Sequence, residues 1–286
     1  MKFIRFILNV LTRVHPVLAL RFTRFLASFP RKLPTKTRDV EFINSAQKIT
    51  FQHNGKKVAL SWGEGPVVIL VHGWEGRSTQ MAPMAKQLAK SGFQAIALDF
   101  RGHGLSGGRQ SGFTDFIEDL AALQAHVVKH ITPNIHAMIG HSAGGVCMMA
   151  SRLINDFPTT KYVVISAPSA PYPAIDALRR TLKVSEGVLS LVQDEIAKSF
   201  TCSWQELLAG FSYKSRFHEE QLFLIYDVDD KMVDHNEAQK IQNAFQTGHV
   251  YKTQGYGHIK LLWDDTVIEK VVDFVSSTET PFVEML

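Results

Sequence analysis

Apolar and basic positions recur at a helical period through residues 1–28. At about 100° per residue, Lys2, Arg5, Asn9, Thr12 and Arg13 share a narrow arc. Phe3, Ile4, Ile7, Leu8, Val10, Leu11 and Val14 fill the rest of the circumference. The pattern predicts an amphipathic helix, a break at Pro16 and a second helix ending near Ser28. From residue 39 short runs of β type take over: Asp39 to Ile43, Ile49 to Phe51 and Val58 to Trp62. The last two flank a His53-Asn54-Gly55 turn signal, so an antiparallel sheet edge is expected. Val67 to Val71 is a continuous apolar run, as in strands buried on both faces of a parallel sheet. Strand and helix patterns then alternate: helix Met81 to Lys90, strand Phe93 to Leu98, helix Thr114 to Lys129, strand Ile135 to Ile139, helix Ala143 to Ile154 and strand Tyr162 to Ile165. This alternation predicts an α/β fold with a mostly parallel open sheet and helices on both faces.

Between Ser166 and Gln221 the strands stop. Helical patterns cover Ala174 to Lys183, Val188 to Phe200 and Ser203 to Leu208, and Ser203 with Glu206 has capping-box spacing. A stretch of this length between two strands is too long for a plain connection and reads as an inserted helical cap, residues 167–220. Its apolar positions Leu178, Leu182, Val188, Leu191, Trp204 and Leu207 either pack downward or line an acyl tunnel. The sheet resumes with Leu222 to Tyr226, a helix near Asn236 to Phe245, a strand His249 to Lys252 and a final helix Leu261 to Phe274. Three regions result: a basic N-terminal helical segment (1–38), a sheet domain (39–166 and 221–286) and the cap (167–220).

Composition and charge change this picture in one place. Hydrophobic residues make up 45% of the 286 and charged residues 20%, which excludes disordered and low-complexity classes. Nine of the 31 Lys/Arg and none of the 27 acids lie in residues 1–38, so the remainder is mildly acidic. Basicity confined to one terminal segment interleaved with Phe, Leu and Ile argues against nucleic acid as a partner. The segment does not span a bilayer, because Arg13 interrupts its apolar stretches well short of about 20 residues. It also lacks a clean cleavage site for secretion. Two readings follow: the apolar face packs on the sheet domain, or residues 1–30 make peripheral contact with an anionic membrane. With only Cys147 and Cys202, a disulfide framework is ruled out and a reducing, cytoplasmic setting is expected, with association at the inner membrane surface as the further option.

The chemistry concentrates in four loops. Gly140-His141-Ser142-Ala143-Gly144 joins an apolar strand to a helix, the context in which a G-x-S-x-G turn exposes its serine hydroxyl. Glycines two positions either side allow the sharp turn, and the helix start brings backbone N–H groups, including that of Ala143, toward a developing oxyanion. Val71-His72-Gly73-Trp74-Glu75 follows a buried strand, where the Trp74 N–H can aim at the same point. Leu98-Asp99-Phe100-Arg101-Gly102-His103-Gly104-Leu105-Ser106 and Gly257-His258-Ile259-Lys260-Leu261 complete the set. In this order, across residues from about 39 to 276, they resemble the α/β-hydrolase superfamily in its serine hydrolase branch.

The resemblance implies Ser142 as nucleophile, His258 as general base and an orienting acid after the penultimate strand. Three aspartates crowd that turn: Asp227, Asp229 and Asp230. The family register counted back from Val233 selects Asp230, yet Asp227 stands where glycine is common, and it stays a candidate. His72, His103 and His141 read as structural neighbours of the motifs. Gly102 to Gly107 also spells G-x-G-x-x-G, but no helix opens at its glycines, so no dinucleotide is expected. Neither a Walker loop nor a H-E-x-x-H is present, and no cofactor or metal is expected. The implied function is a serine hydrolase acting on a small-molecule carboxylic ester through an acyl-enzyme, with Trp74 and Ala143 as oxyanion donors. Thioesterase, perhydrolase, C–C hydrolase or acyltransferase activity uses the same residues. A non-catalytic binding protein on this scaffold is the alternative from another class.

Overall fold

A computed structural model of the chain describes residues 2–157, 159–246 and 248–277. The stretch 278–286, assigned above to the sheet domain, lies outside the described residues. Helices α1 (Lys2–Val14), α2 (Pro16–Ala27) and α3 (Thr37–Asn44) come first. They are followed by β1 (Gln47–Gln52), β2 (Lys56–Trp62), β3 (Val67–Val71), α4 (Ala82–Lys90), β4 (Gln94–Asp99), α5 (Phe113–His130), β5 (Ile135–His141), α6 (Ala143–Asn155) and β6 (Lys161–Ile165). Three helices, α7 (Tyr172–Leu182), α8 (Glu186–Ser199) and α9 (Trp204–Leu208), separate β6 from β7 (Gln221–Asp227). Then come α10 (Glu237–Phe245), β8 (His249–Thr253), α11 (Gly257–Lys260) and α12 (Asp265–Ser276).

The strands form one eight-stranded sheet in the order β1-β2-β4-β3-β5-β6-β7-β8. β1 and β2 pair antiparallel and β2 joins β4 antiparallel, while every pair from β4 to β8 is parallel. The period-2 geometry of a strand explains why β3 is apolar throughout. Its Val67, Ile69 and Val71 face the core beneath α5 and α6, and Val68 and Leu70 face the core beneath α4 and α12. A buried ion pair, Lys57 Nζ to Asp119 at 3.1 Å, ties β2 to α5. Removing one partner of such a pair strands the other charge and costs about 3–5 kcal/mol.

Two expectations are corrected. Residues Asp39 to Ile43 belong to α3, not to a strand. Asp39 sits at its third position and its carboxylate accepts the Lys36 N–H at 2.9 Å, satisfying a donor that the first helical turn leaves open. The last helix begins at Asp265 rather than Leu261: Leu261–Trp263 form a 3-10 turn, and the Asp264 side chain caps α12 by accepting from Val267 N.

The segment between β6 and β7 is helical, and Leu178, Leu182, Val188, Trp204 and Leu207 are buried in the main core. These side chains pack downward, so they are not free to line a tunnel. Both ends of the excursion are fastened to the sheet domain. Tyr226 donates to Ala167 O at one end, and at the other the buried Arg152 guanidinium pairs with Glu220 and donates to Lys214 O.

Candidate active site

β5 and α6 meet in a turn too tight for an ordinary residue. Ser142 has φ 53° and ψ −128°, a left-handed conformation that costs a non-glycine residue about 1–3 kcal/mol and is held by its surroundings. Ser142 N donates to Ile165 O at 2.9 Å, and Ser142 O accepts Gly145 N at 2.9 Å. The flanking glycines are required by contact: a Cβ on Gly140 would lie 2.6 Å from Gly145 Cα, and one on Gly144 would lie 2.2 Å from the His72 carbonyl oxygen. Strain and close packing together push the serine hydroxyl out at the carboxyl end of the strands.

His258 meets it there, in the short helix α11 that follows β8. Ser142 Oγ lies 2.9 Å from His258 Nε2, and His258 Nδ1 lies 2.7 Å from Asp230 Oδ2. A carboxylate only accepts, so the Nδ1 proton points at Asp230 and Nε2 is left to accept from the serine. Asp230, the residue selected by register, therefore contacts the imidazole. Burial acts to raise its pKa, but the hydrogen bond from His258 and those from Met232 N and Val233 N outweigh it and hold it below the ordinary carboxylate value.

Asp227 does different work. Its carboxylate accepts Gly257 N at 2.9 Å, Tyr256 N at 3.1 Å, Thr253 Oγ1 at 2.8 Å and Asp229 N at 3.0 Å. These bonds shape the loop that delivers His258, and they lower the Asp227 pKa against the effect of burial. His141 adds a third support. Its Nε2 donates to the His258 carbonyl at 2.9 Å, fixing the backbone beneath the imidazole.

The loop after β3 is held as firmly. The N–H groups of Trp74 and Ala143 carry no hydrogen bond among the described residues, and the loop before Trp74 touches the Ser142 turn: a Cβ on Gly73 would lie 2.9 Å from Ser142 Cβ. Glu75, next to Trp74, has φ 59°. Its backbone N–H donates to His103 Nε2 at 3.1 Å, and its carboxylate receives a forked bond from Arg31 at 2.9 and 2.7 Å. His103 Nδ1 donates to Arg101 O, so the ring is the neutral tautomer with a bare Nε2. His72 is fixed the same way, donating to Gly73 O and accepting Phe100 N. The buried Asp99 carboxylate bridges the two loops by accepting Ser78 N at 2.6 Å and Leu105 N at 2.7 Å.

Burial pushes His72 and His103 down to about 4 and His141 to about 3, from an ordinary value of 6.5. The unfolded chain then binds more protons than the fold between those values and 6.5. The stability that comes from keeping these rings neutral is complete above about pH 6.5 and is lost as pH falls toward 4. Asp99 and Asp119, raised by burial, act with the opposite sign from the ordinary carboxylate value of 3.8 upward, offsetting part of that loss. The melting temperature is expected to fall on acidification from pH 7 to pH 5; scanning calorimetry showing a flat or rising value would contradict this balance.

Sequence reasoning assigned His72 and His103 to loop shape, and it missed Arg31, Glu75 and Asp99 as supports of the Trp74 loop. The signal for Asp99 was present in its place within the D-x-R-G-x-G-x-S loop. Nothing local could have paired Arg31 with a residue 44 positions away.

Among curated proteins, a serine hydrolase-like protein of Homo sapiens is 32% identical over 94 residues, covering 32% of this chain and 46% of its own. A bifunctional esterase/perhydrolase of Acinetobacter calcoaceticus is 35% identical over 112 residues, covering 37% and 39%. The matched stretch thus spans less than half the length of these relatives. An esterase of Pyrococcus furiosus superposes with a TM-score of 0.64 at 20% identity, over 86% of this chain and 98% of that one, which establishes the shared fold. The Hydrolase_4 family model, described as serine aminopeptidase, S33, matches residues 65–248. That span takes in the β3 loop, the Ser142 turn and the acid after β7, and the chain belongs to this family of α/β hydrolases.

Proposed function

We propose that the protein hydrolyses a carboxylic ester through a covalent acyl-enzyme. The observation that carries this reading is the unbroken hydrogen-bond chain from Ser142 Oγ through His258 to Asp230, at a strained strand-to-helix turn. A serine hydroxyl is scarcely ionised at neutral pH, so attack on the ester carbonyl needs His258 Nε2 to take the proton as the bond forms. Asp230 holds the ring in the competent tautomer and stabilises the imidazolium. The carbonyl oxygen becomes an oxyanion facing the Trp74 and Ala143 N–H groups, whose orientation is set before reaction and needs no reorganisation. Collapse expels the alcohol with the proton from His258. Water then repeats the sequence on the acyl-serine, releasing the acid. The helical segment 167–220 roofs this edge of the sheet as a cap.

The test is hydrolysis of p-nitrophenyl esters of increasing acyl length, with Ser142→Ala as the blank. Serine-dependent turnover of at least one member is expected, and the optimum length measures the depth of the acyl pocket. Turnover confined to aminoacyl p-nitroanilides would replace the ester reading with peptide cleavage, and turnover unchanged in the variant would remove Ser142 from the chemistry.

A further inference from the structure

The N-terminal helices pack with one side only. On α1, Leu8 is buried and Ile4 and Leu11 are partly buried against the main core. The opposite side carries Phe3, Phe6, Val10 and Val14, at spacings of three and four residues that place them in one row. Phe3 is 73% exposed, Phe6 65% and Val14 78%. The row continues past the Pro16 bend into exposed Val17 and Leu18. Single exposed apolar side chains are ordinary, but a contiguous row with a polar border marks a contact surface.

The charge around the row selects the occupant. Residues 1–38 hold nine Lys/Arg and no acid. Arg13 and Arg21 are exposed beside the row. Acidic side chains reach this segment at Arg24, which pairs with Glu195 of α8 at 2.7 Å, and at Arg31, which pairs with Glu75 at 2.7 Å. A second copy of the chain on this face would bring two basic segments together at short range, where like charges repel. An anionic lipid surface answers both features at once, taking the apolar row into the headgroup and acyl boundary while its phosphates meet the arginines. α1 is 13 residues long, about 20 Å, and no described helix is long and apolar enough to cross a membrane, so the helix lies in the plane of the surface.

We infer that α1 and the start of α2 dock the protein on an anionic bilayer through Phe3, Phe6, Val10, Val14, Val17 and Leu18, with Arg13 and Arg21 reading the headgroup charge. The two sequence readings of this segment are thereby reconciled: the inner side packs on the domain and the outer side meets lipid. This inference does not depend on the hydrolase reading, and its test measures no turnover.

The full chain is sedimented with phosphatidylcholine vesicles containing or lacking phosphatidylglycerol, at low and high salt. Binding to the anionic vesicles is expected at low salt, with at least a tenfold weaker partition on pure phosphatidylcholine or at high salt. The double variant Phe3→Ser/Phe6→Ser is expected to lower the partition at least tenfold with an unchanged far-ultraviolet circular dichroism spectrum. Arg13→Gln/Arg21→Gln is expected to flatten the salt dependence. No association with anionic vesicles at low salt would overturn the inference. So would a lipid-free dimer that Phe3→Ser/Phe6→Ser dissociates, because the row would then belong to a second copy.

Discussion

Ser142→Ala is expected to reduce ester turnover by about 10⁴-fold or more, leaving the residual catalysis that oriented N–H donors and substrate binding supply without a nucleophile. The loss follows from one missing atom. Ser142 Oγ is the group placed 2.9 Å from His258 Nε2, and among the described residues no other hydroxyl lies at hydrogen-bond distance from that nitrogen. The backbone at 142 keeps its support, because Ser142 N still donates to Ile165 O and the carbonyl still accepts Gly145 N. The variant should therefore melt near the parent temperature. A loss of activity with intact melting places the effect in the chemistry, whereas retained activity would show that another group attacks the ester.

Asp230→Asn should cost about 10⁴-fold in kcat at neutral pH while leaving the fold in place, because an amide favours the wrong imidazole tautomer. With the amide N–H₂ toward His258, Nδ1 becomes the acceptor and Nε2 carries the proton toward Ser142, where it cannot take another. Asp227→Asn should behave in the opposite way. The Asp227 carboxylate accepts four donors, two on each oxygen. An amide nitrogen in place of one oxygen leaves two of them facing a donor, a cost of about 1–3 kcal/mol for each unpaired buried group. Its signature is a lower melting temperature with a smaller effect on kcat. If Asp227→Asn abolished turnover and Asp230→Asn spared it, the assignment of the acid would be reversed.

The sheet was legible because its strands carry their own pattern. Val67 to Val71 could be read as doubly buried since both faces of β3 are covered, and the glycines of the Ser142 turn could be read because the turn forbids side chains there. The strand run assigned at Asp39 was misread for a local reason: Val40, Phe42 and Ile43 are strand-prone residues, while the cap formed by Asp39 outweighs that preference. The register of the family resemblance narrowed the acid to Asp230 or Asp227. Separating them needed the fold, because the two carboxylates serve different atoms of one loop. The Arg31–Glu75 fork was invisible for a deeper reason: chain patterns report periodicity, and a contact between a terminal segment and a loop has none.

That fork gives the segment after α2 a thermodynamic meaning. Ser28 O accepts Ser111 N at 2.7 Å, Arg31 grips Glu75, and Arg77 donates to Leu33 O, so residues 28–33 are bound at three points to the loops around Trp74. The N-terminal helices and the loop carrying the proposed oxyanion donor Trp74 are thus joined by one short connection held at three points. To whatever extent an occupant of the helices tightens those bonds, it strengthens the binding of an oxyanion beside Trp74. Reciprocity then requires a bound oxyanion analogue to strengthen the hold on that occupant by the same factor.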